Sequence, residues 1–143
     1  MTYIAHNTSE WPLEALQPYV PDITKAMGQL IERFPRDVTT ESLWSDLVAG
    51  SKQLWLILDE ENAFVAFALT RIAVTATGLK LVTMMDLAGR DFRRWWPVLG
   101  DTVEGWAREI GAHCTQIEGR AGWEFVTKKR GYQEQARLWR KEL

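Results

Sequence analysis

The chain has one cysteine, Cys114, and two histidines, His6 and His113, in 143 residues. A lone thiol forms no intrachain disulfide, and these three side chains offer no metal-ligand set of familiar spacing. A reducing, intracellular setting is therefore expected. Long apolar runs are missing too: no segment approaches the roughly 20 apolar residues that a membrane-crossing helix requires. The opening residues, MTYIAHNTSEW, show no basic stretch followed by an apolar one, so no leader peptide is expected and the protein should be soluble. Neither sign of charge is in excess, since 17 Lys and Arg against 19 Asp and Glu leave a net charge of -2. That balance disfavours nucleic acid and anionic membrane as partners, because phosphate affinity is carried by clustered Lys and Arg.

Tryptophan, by contrast, is abundant: eight occur, at positions 11, 44, 55, 95, 96, 106, 123 and 139. Some should fill the core, and a cluster of the others could form a contact surface for another protein. With 46% hydrophobic and 25% charged residues the composition is that of a globular protein, and the length suits one domain spanning residues 1–143.

Hydrophobic spacing divides the chain into elements. Pro12 to Ile31 follows a helical period interrupted by Pro18 and Pro21, which predicts two short helices or a kinked pair. Thr39 or Thr40 caps a helix that presents Leu43, Trp44, Leu47 and Val48 on one side and stops at Gly50. The period then changes. Runs at 53–58, 63–75 and 80–87, joined by the turns DEEN and ATG, predict a three-stranded antiparallel meander. From Asp91 to Ile110 the apolar residues return to helical spacing, with Leu99 and Trp106 on the stripe expected to face the sheet. Pro97 implies either a distorted first turn from Asp91 or a helix that begins near Trp96. A strand at 113–118, reached through this crossover helix, should lie parallel to the third meander strand. A short helix at 121–132 closed by Gly131 and a final strand within QEQARLWRKEL complete the order. The fold class is mixed α+β, with a five- or six-stranded, mostly antiparallel sheet flanked by helices.

This order, together with the stretches GSKQLWLIL, DLAGRDF and WAREIGAHCTQIEGRAGWEFVTKKRGYQEQARLWRKEL, resembles the GNAT-type N-acetyltransferase fold. It looks like a divergent GNAT-like group often encoded by bacteriophages and prophages. The resemblance covers Ser42 to Leu143. In active members of that superfamily the loop after the fourth strand reads Gln/Arg-x-x-Gly-x-Gly/Ala, and its bare backbone closes on the pyrophosphate of acetyl-CoA at a helix N-terminus. Here the corresponding stretch keeps only Gly89, followed by Arg90, Asp91, Phe92, Arg93 and Arg94. The arginines offer side-chain charge to an anion, making Gly89, Arg90, Arg93 and Arg94 the candidate cofactor-binding residues, with Arg120 as a further source of charge. The plainer assignment is that Asp91 caps the helix and the arginines form a solvated face. The family's Tyr and Asn near the last Gly-aromatic pair would fall at Thr127 and Arg120, and a threonine hydroxyl is too weak an acid to replace a phenol.

Two strand-end carboxylates, Asp86 and Glu118, are the candidate general bases, since such folds draw polar groups into the cleft between splayed strands. His113 and Cys114 are excluded as a nucleophile and base, because neighbours on a strand point to opposite faces. No residue forms a metal site. The reading that follows is a phage- or prophage-type GNAT-like protein without standard acetyltransferase activity and with no cofactor. It would bind another protein, such as a phage structural protein or a second copy of itself, and could be carried in a virion or stay in the cytoplasm of a bacterial host. The alternative is an N-acyltransferase that binds acetyl-CoA unconventionally. Nucleic-acid binding ranks last, resting only on KKR at 128–130 and RLWRK at 137–141.

Overall fold

The structure is a computed structural model that describes residues 2–119 and 123–143. Five strands form one mixed sheet in the order β1-β2-β3-β4-β5: Tyr3–Asn7, Gln53–Asp59, Phe64–Val74, Lys80–Gly89 and Cys114–Ile117. The first four are antiparallel to their neighbours, and β5 is parallel to β4. The expected meander and the parallel crossover strand are both present.

The helices cover the two faces. Helix α1 (Leu13–Leu16) leads through a single 3-10 turn into α2 (Val20–Arg33), with Pro21 in its first turn, where the missing N–H has no intrahelical partner to lose. Helix α3 (Thr40–Val48) begins with a reciprocal cap: Thr39 Oγ1 accepts from the Ser42 N–H at 3.0 Å, and Ser42 Oγ accepts from the Thr39 N–H at 2.9 Å. Thr39→Ala removes one of these bonds and is expected to cost about 1 kcal/mol, read as a lower melting temperature. Val48 lies on the outer side of α3 at 87% exposure, so the helix buries Leu43 and not the full predicted stripe.

Helix α4 (Phe92–Glu109) contains Pro97 in its interior, so of the two predicted starts the earlier is correct. Pro97 lies one turn into the helix, where its absent N–H removes the bond to the carbonyl four residues back. Leu99 is fully buried, whereas Trp106 is only half-buried, packed edge-on against Trp55 with ring centroids 5.4 Å apart. Helix α5 (Glu124–Lys129) ends at Gly131, whose φ of +82° suits glycine. One core lies between α4, α5 and the sheet, built around Trp55, Trp95, Trp96, Leu99 and Val103. A second lies between α2, α3 and the opposite face, around Met27, Leu43, Leu56 and Phe67.

Both termini of the sheet differ from expectation. The fifth strand is β1, at the N-terminus, which the sequence hides because its pattern is inverted: Tyr3 and Ala5 are buried while Ile4 is 49% exposed. QEQARLWRKEL forms no strand. Its residues are exposed, Leu138 and Trp139 included, and it is tied to the loop after α2 by Arg36–Glu142 and Arg140–Asp37 ion pairs, each 2.6 Å. Its alternation has the right period, but period alone cannot supply a neighbouring strand.

Candidate functional site

Strand β5 accompanies β4 only from Leu81↔Cys114 to Met84↔Ile117, with a last bond from the Glu118 N–H to the Met84 carbonyl at 3.0 Å. Beyond Met84, β4 continues to Gly89 paired with β3 alone among the described residues. The sheet therefore opens between β4 and β5. At the point of divergence the β3–β4 register shifts: Leu69 faces Asp86 and Thr70 faces Met84, leaving Met85 as the extra residue of a bulge. Bulges bend a strand and re-aim its side chains, and this one presents Asp86 toward α3.

There the Asp86 carboxylate lies 3.8 Å from Lys52 Nζ, which is also 2.9 Å from Asp46 Oδ2 on α3. Burial raises the Asp86 pKa above its ordinary value. The Lys52 ammonium pulls the other way, and the Glu118 and Asp46 carboxylates push with burial. Because the folded protein holds this proton more firmly than the unfolded chain, ionisation of Asp86 weighs against folding once the pH rises above the ordinary carboxylate range. Below that range the cost is absent. Asp86→Asn is expected to melt higher than wild type at pH 7, with the gap closing by about pH 4. A gap of equal size at both pH values would contradict this.

Glu118, the other candidate base, follows β5 and pairs with Arg71 Nη2 at 3.4 Å. Gln116 donates to the buried Thr83 hydroxyl at 3.0 Å beside it. Glu118 lies close enough to Asp86 for its charge to act on it, but the two carboxylates take different partners, Arg71 and Lys52. Arg120 lies outside the described residues.

The mouth of α4 is closed. Only Arg90 and Asp91 separate β4 from α4, and the Arg90 backbone and both side chains are engaged within the protein. The Arg90 N–H donates to Val65 O at 3.1 Å, its guanidinium donates to Asp91 Oδ2 at 3.1 Å and to Phe64 O at 3.4 Å, and its carbonyl accepts from Trp95 Nε1 at 2.6 Å. Asp91 occupies the cap position, but with φ +59° and no side-chain capping bond; its carboxylate turns to Arg90 instead. Phe92 sits on Trp95, Trp96 and Trp123 at centroid distances of 5.2, 5.7 and 4.9 Å. Arg93 and Arg94 are exposed on the first turn of α4.

Gly89 belongs to the strand and serves packing. A Cβ there would stand 2.4 Å from Ala66 Cβ and 2.5 Å from Val65 O, so glycine is required by the approach of β3. A pyrophosphate cradle needs several successive N–H groups around open space. A two-residue connection whose first N–H is bonded to β3 and whose space holds arginine, aspartate and aromatic side chains does not fit that group.

The opposite wall is equally committed. Thr127, at the position of the family's tyrosine, donates its hydroxyl to Glu124 O at 3.1 Å. A phenol does stand nearby, which counting along the chain missed. Tyr132 Oη lies 2.8 Å from Thr115 Oγ1 and 3.3 Å from Glu104 Oε2, and burial together with Glu104 raises its pKa. Arg130 binds Asp101 and Glu104, both at 2.8 Å, over Gly100, which leaves room for the guanidinium. His113 Nδ1 accepts the Lys80 N–H at 2.9 Å, and Cys114 is exposed. Lys52 was also missed, because a lysine after a helix-ending Gly-Ser carries no mark of pairing with a strand 34 residues on. Among the described residues no group of three or more His, Cys, Asp or Glu could hold a metal ion, and no helix is long and apolar enough to cross a membrane.

The fold is that of GNAT-type acetyltransferases. A Pyrococcus furiosus protein assigned as an acetyl transferase superposes with a TM-score of 0.74 at 18% identity, over 99% of this chain and 100% of the other. An aminoglycoside acetyltransferase from an uncultured soil sample gives 0.69 at 11% identity over 100% and 99% of the two chains. Glucosamine-6-phosphate N-acetyltransferase of Arabidopsis thaliana gives 0.63 at 13% over 99% of each. No protein-family model and no curated protein matches the sequence.

Proposed function

We propose that this protein uses the acetyltransferase scaffold without the standard acetyl-CoA grip and acts by binding another protein, as a phage- or prophage-type accessory or virion component. The observation that carries the reading is the two-residue β4–α4 connection, engaged by Val65, Phe64 and Trp95 and filled by its own side chains. Most tryptophans support the core and not a contact surface: Trp55, Trp95 and Trp96 are buried, and Trp11, Trp44, Trp106 and Trp123 pack against the two cores. A binding role leans instead on exposed apolar groups outside the core, such as Leu138 and Trp139. Nucleic acid is a poor partner, because Lys128, Arg130, Arg137 and Arg140 each face a carboxylate within 3.0 Å.

The test is turnover. Wild type and an Asp91→Ala, Arg93→Ala pair are assayed with acetyl-CoA on a panel of amines. Silence in both is the expected result. Saturable acetylation by wild type, lost in Asp86→Asn, would replace this reading with an N-acyltransferase that uses Asp86 as base.

A further inference from the structure

At the β1 edge of the sheet, on the face opposite α4, His6, Trp11, Pro12, Ala15, Tyr19, Leu58 and Asn62 line an open pocket of about 440 Å³. Its aromatic walls form a continuous set. The His6 and Trp11 rings are 5.6 Å apart and the Trp11 and Tyr19 rings 6.3 Å apart, each pair tilted. The walls are also pinned from behind: Tyr19 Oη donates to Asn62 O at 2.8 Å, the Trp11 N–H donates to Thr8 O at 2.9 Å, and the buried Thr8 hydroxyl donates to Leu54 O at 2.8 Å. Ring faces held in this way need little ordering when a ligand arrives.

Charge decides which ligand. Residues 2–24 and 53–70, which supply every lining residue, contain no lysine or arginine but six carboxylates: Glu10, Glu14, Asp22, Asp59, Glu60 and Glu61. Glu10 precedes Trp11, Glu14 precedes Ala15 and Glu61 precedes Asn62, and all three are exposed. Two of the six are committed to the protein itself: Asp59 Oδ1 accepts from the Glu61 and Ala63 N–H groups, and Glu60 from that of Thr2. No lysine or arginine lines this open aromatic pocket, and three exposed carboxylates adjoin its lining residues in the chain.

We infer that the pocket receives the side chain of an arginine or lysine from a basic, extended segment of a partner protein. A cation over the Trp11 and Tyr19 faces gains the ring quadrupole attraction while the flanking carboxylates supply long-range pull. The pocket is wide and open, which suits a side chain carried by a larger partner better than a free small cation, since small ligands depend on enclosure. Strand β1 forms the outer edge of the sheet beside it, so an extended segment also has backbone groups to pair with. The inference shares no residue with the closed α4 mouth, so it and the reading above fail separately.

The experiment titrates the full chain with a fluorescein-labelled Gly-Arg-Gly-Arg-Gly peptide and its citrulline isostere, following anisotropy at low and moderate salt. The arginine peptide is expected to bind at least tenfold tighter than the citrulline peptide, and the preference should shrink with salt. Trp11→Ala should abolish the preference. Because that variant could disturb α1, a Glu10→Gln, Glu14→Gln, Glu61→Gln triple, which changes only exposed groups, should also reduce it at least fivefold with an unchanged circular dichroism spectrum. Equal affinity for the two peptides, or an arginine preference untouched in the triple variant, would overturn the inference. So would tetramethylammonium binding as tightly as the peptide, which would assign the pocket to a free ammonium ion.

Discussion

Replacing Gly89 by alanine should destabilise the protein by about 2–5 kcal/mol, the sum of backbone strain and overpacking. The residue sits at φ +144°, outside the range that side-chain-bearing residues adopt readily, and the space its Cβ would enter holds Ala66 and the Val65 carbonyl at 2.4–2.5 Å. These neighbours are backbone and a Cβ in a buried strand, so they cannot swing aside. Relief requires β4 to move from β3, which would break the Arg90 N–H to Val65 O bond and shift the start of α4. For a chain of this size the loss corresponds to a fall in melting temperature on the order of 10 °C. A variant that melts like wild type would mean that Gly89 is not held against β3. Its role would then lie in the loop, as a phosphate-binding glycine would require.

Trp95→Ala should have an effect of similar size, about 3–5 kcal/mol. Trp95 is 1% exposed, packs edge-on against Phe92, and donates its indole N–H to the Arg90 carbonyl at 2.6 Å. Truncation removes a large buried ring, leaves a cavity under the first turn of α4 and strands the carbonyl that the ring had satisfied. Trp139→Ala is the internal control: that side chain is 80% exposed, and its loss should change stability by no more than about 0.5 kcal/mol. Equal losses for the two would contradict the assignment of Trp95 to the core.

Gly89 and Trp95 flank the β4–α4 junction, whose elements are legible in the sequence but whose contacts are not. The meander, the crossover helix and β5 were legible because their apolar periods run for many residues and are bounded by Gly50, Gly78 and Gly111, all at positive φ. Strand β1 was not, since five residues with an exposed isoleucine and a buried alanine do not alternate in the expected sense. The tail at 133–143 failed in the other direction, having the alternation without a partner strand. At the candidate site, Asp86 and Glu118 could be placed near the opening from strand ends alone. The bulge at Met85, the Lys52 contact and the phenol of Tyr132 depend on contacts between residues distant in the chain, which no local spacing encodes. Asp91 looked like a helix cap because aspartate is favoured there. Its carboxylate was taken instead by Arg90, one residue away, in a loop too short for both.

Calorimetric titration of the purified protein with acetyl-CoA and with CoA tests the closed α4 mouth most directly. The structure predicts no saturable heat at ligand concentrations up to the high micromolar range. Micromolar, one-to-one binding of either ligand, weakened at least tenfold by Arg93→Ala, would contradict it and show that the mouth opens around a pyrophosphate.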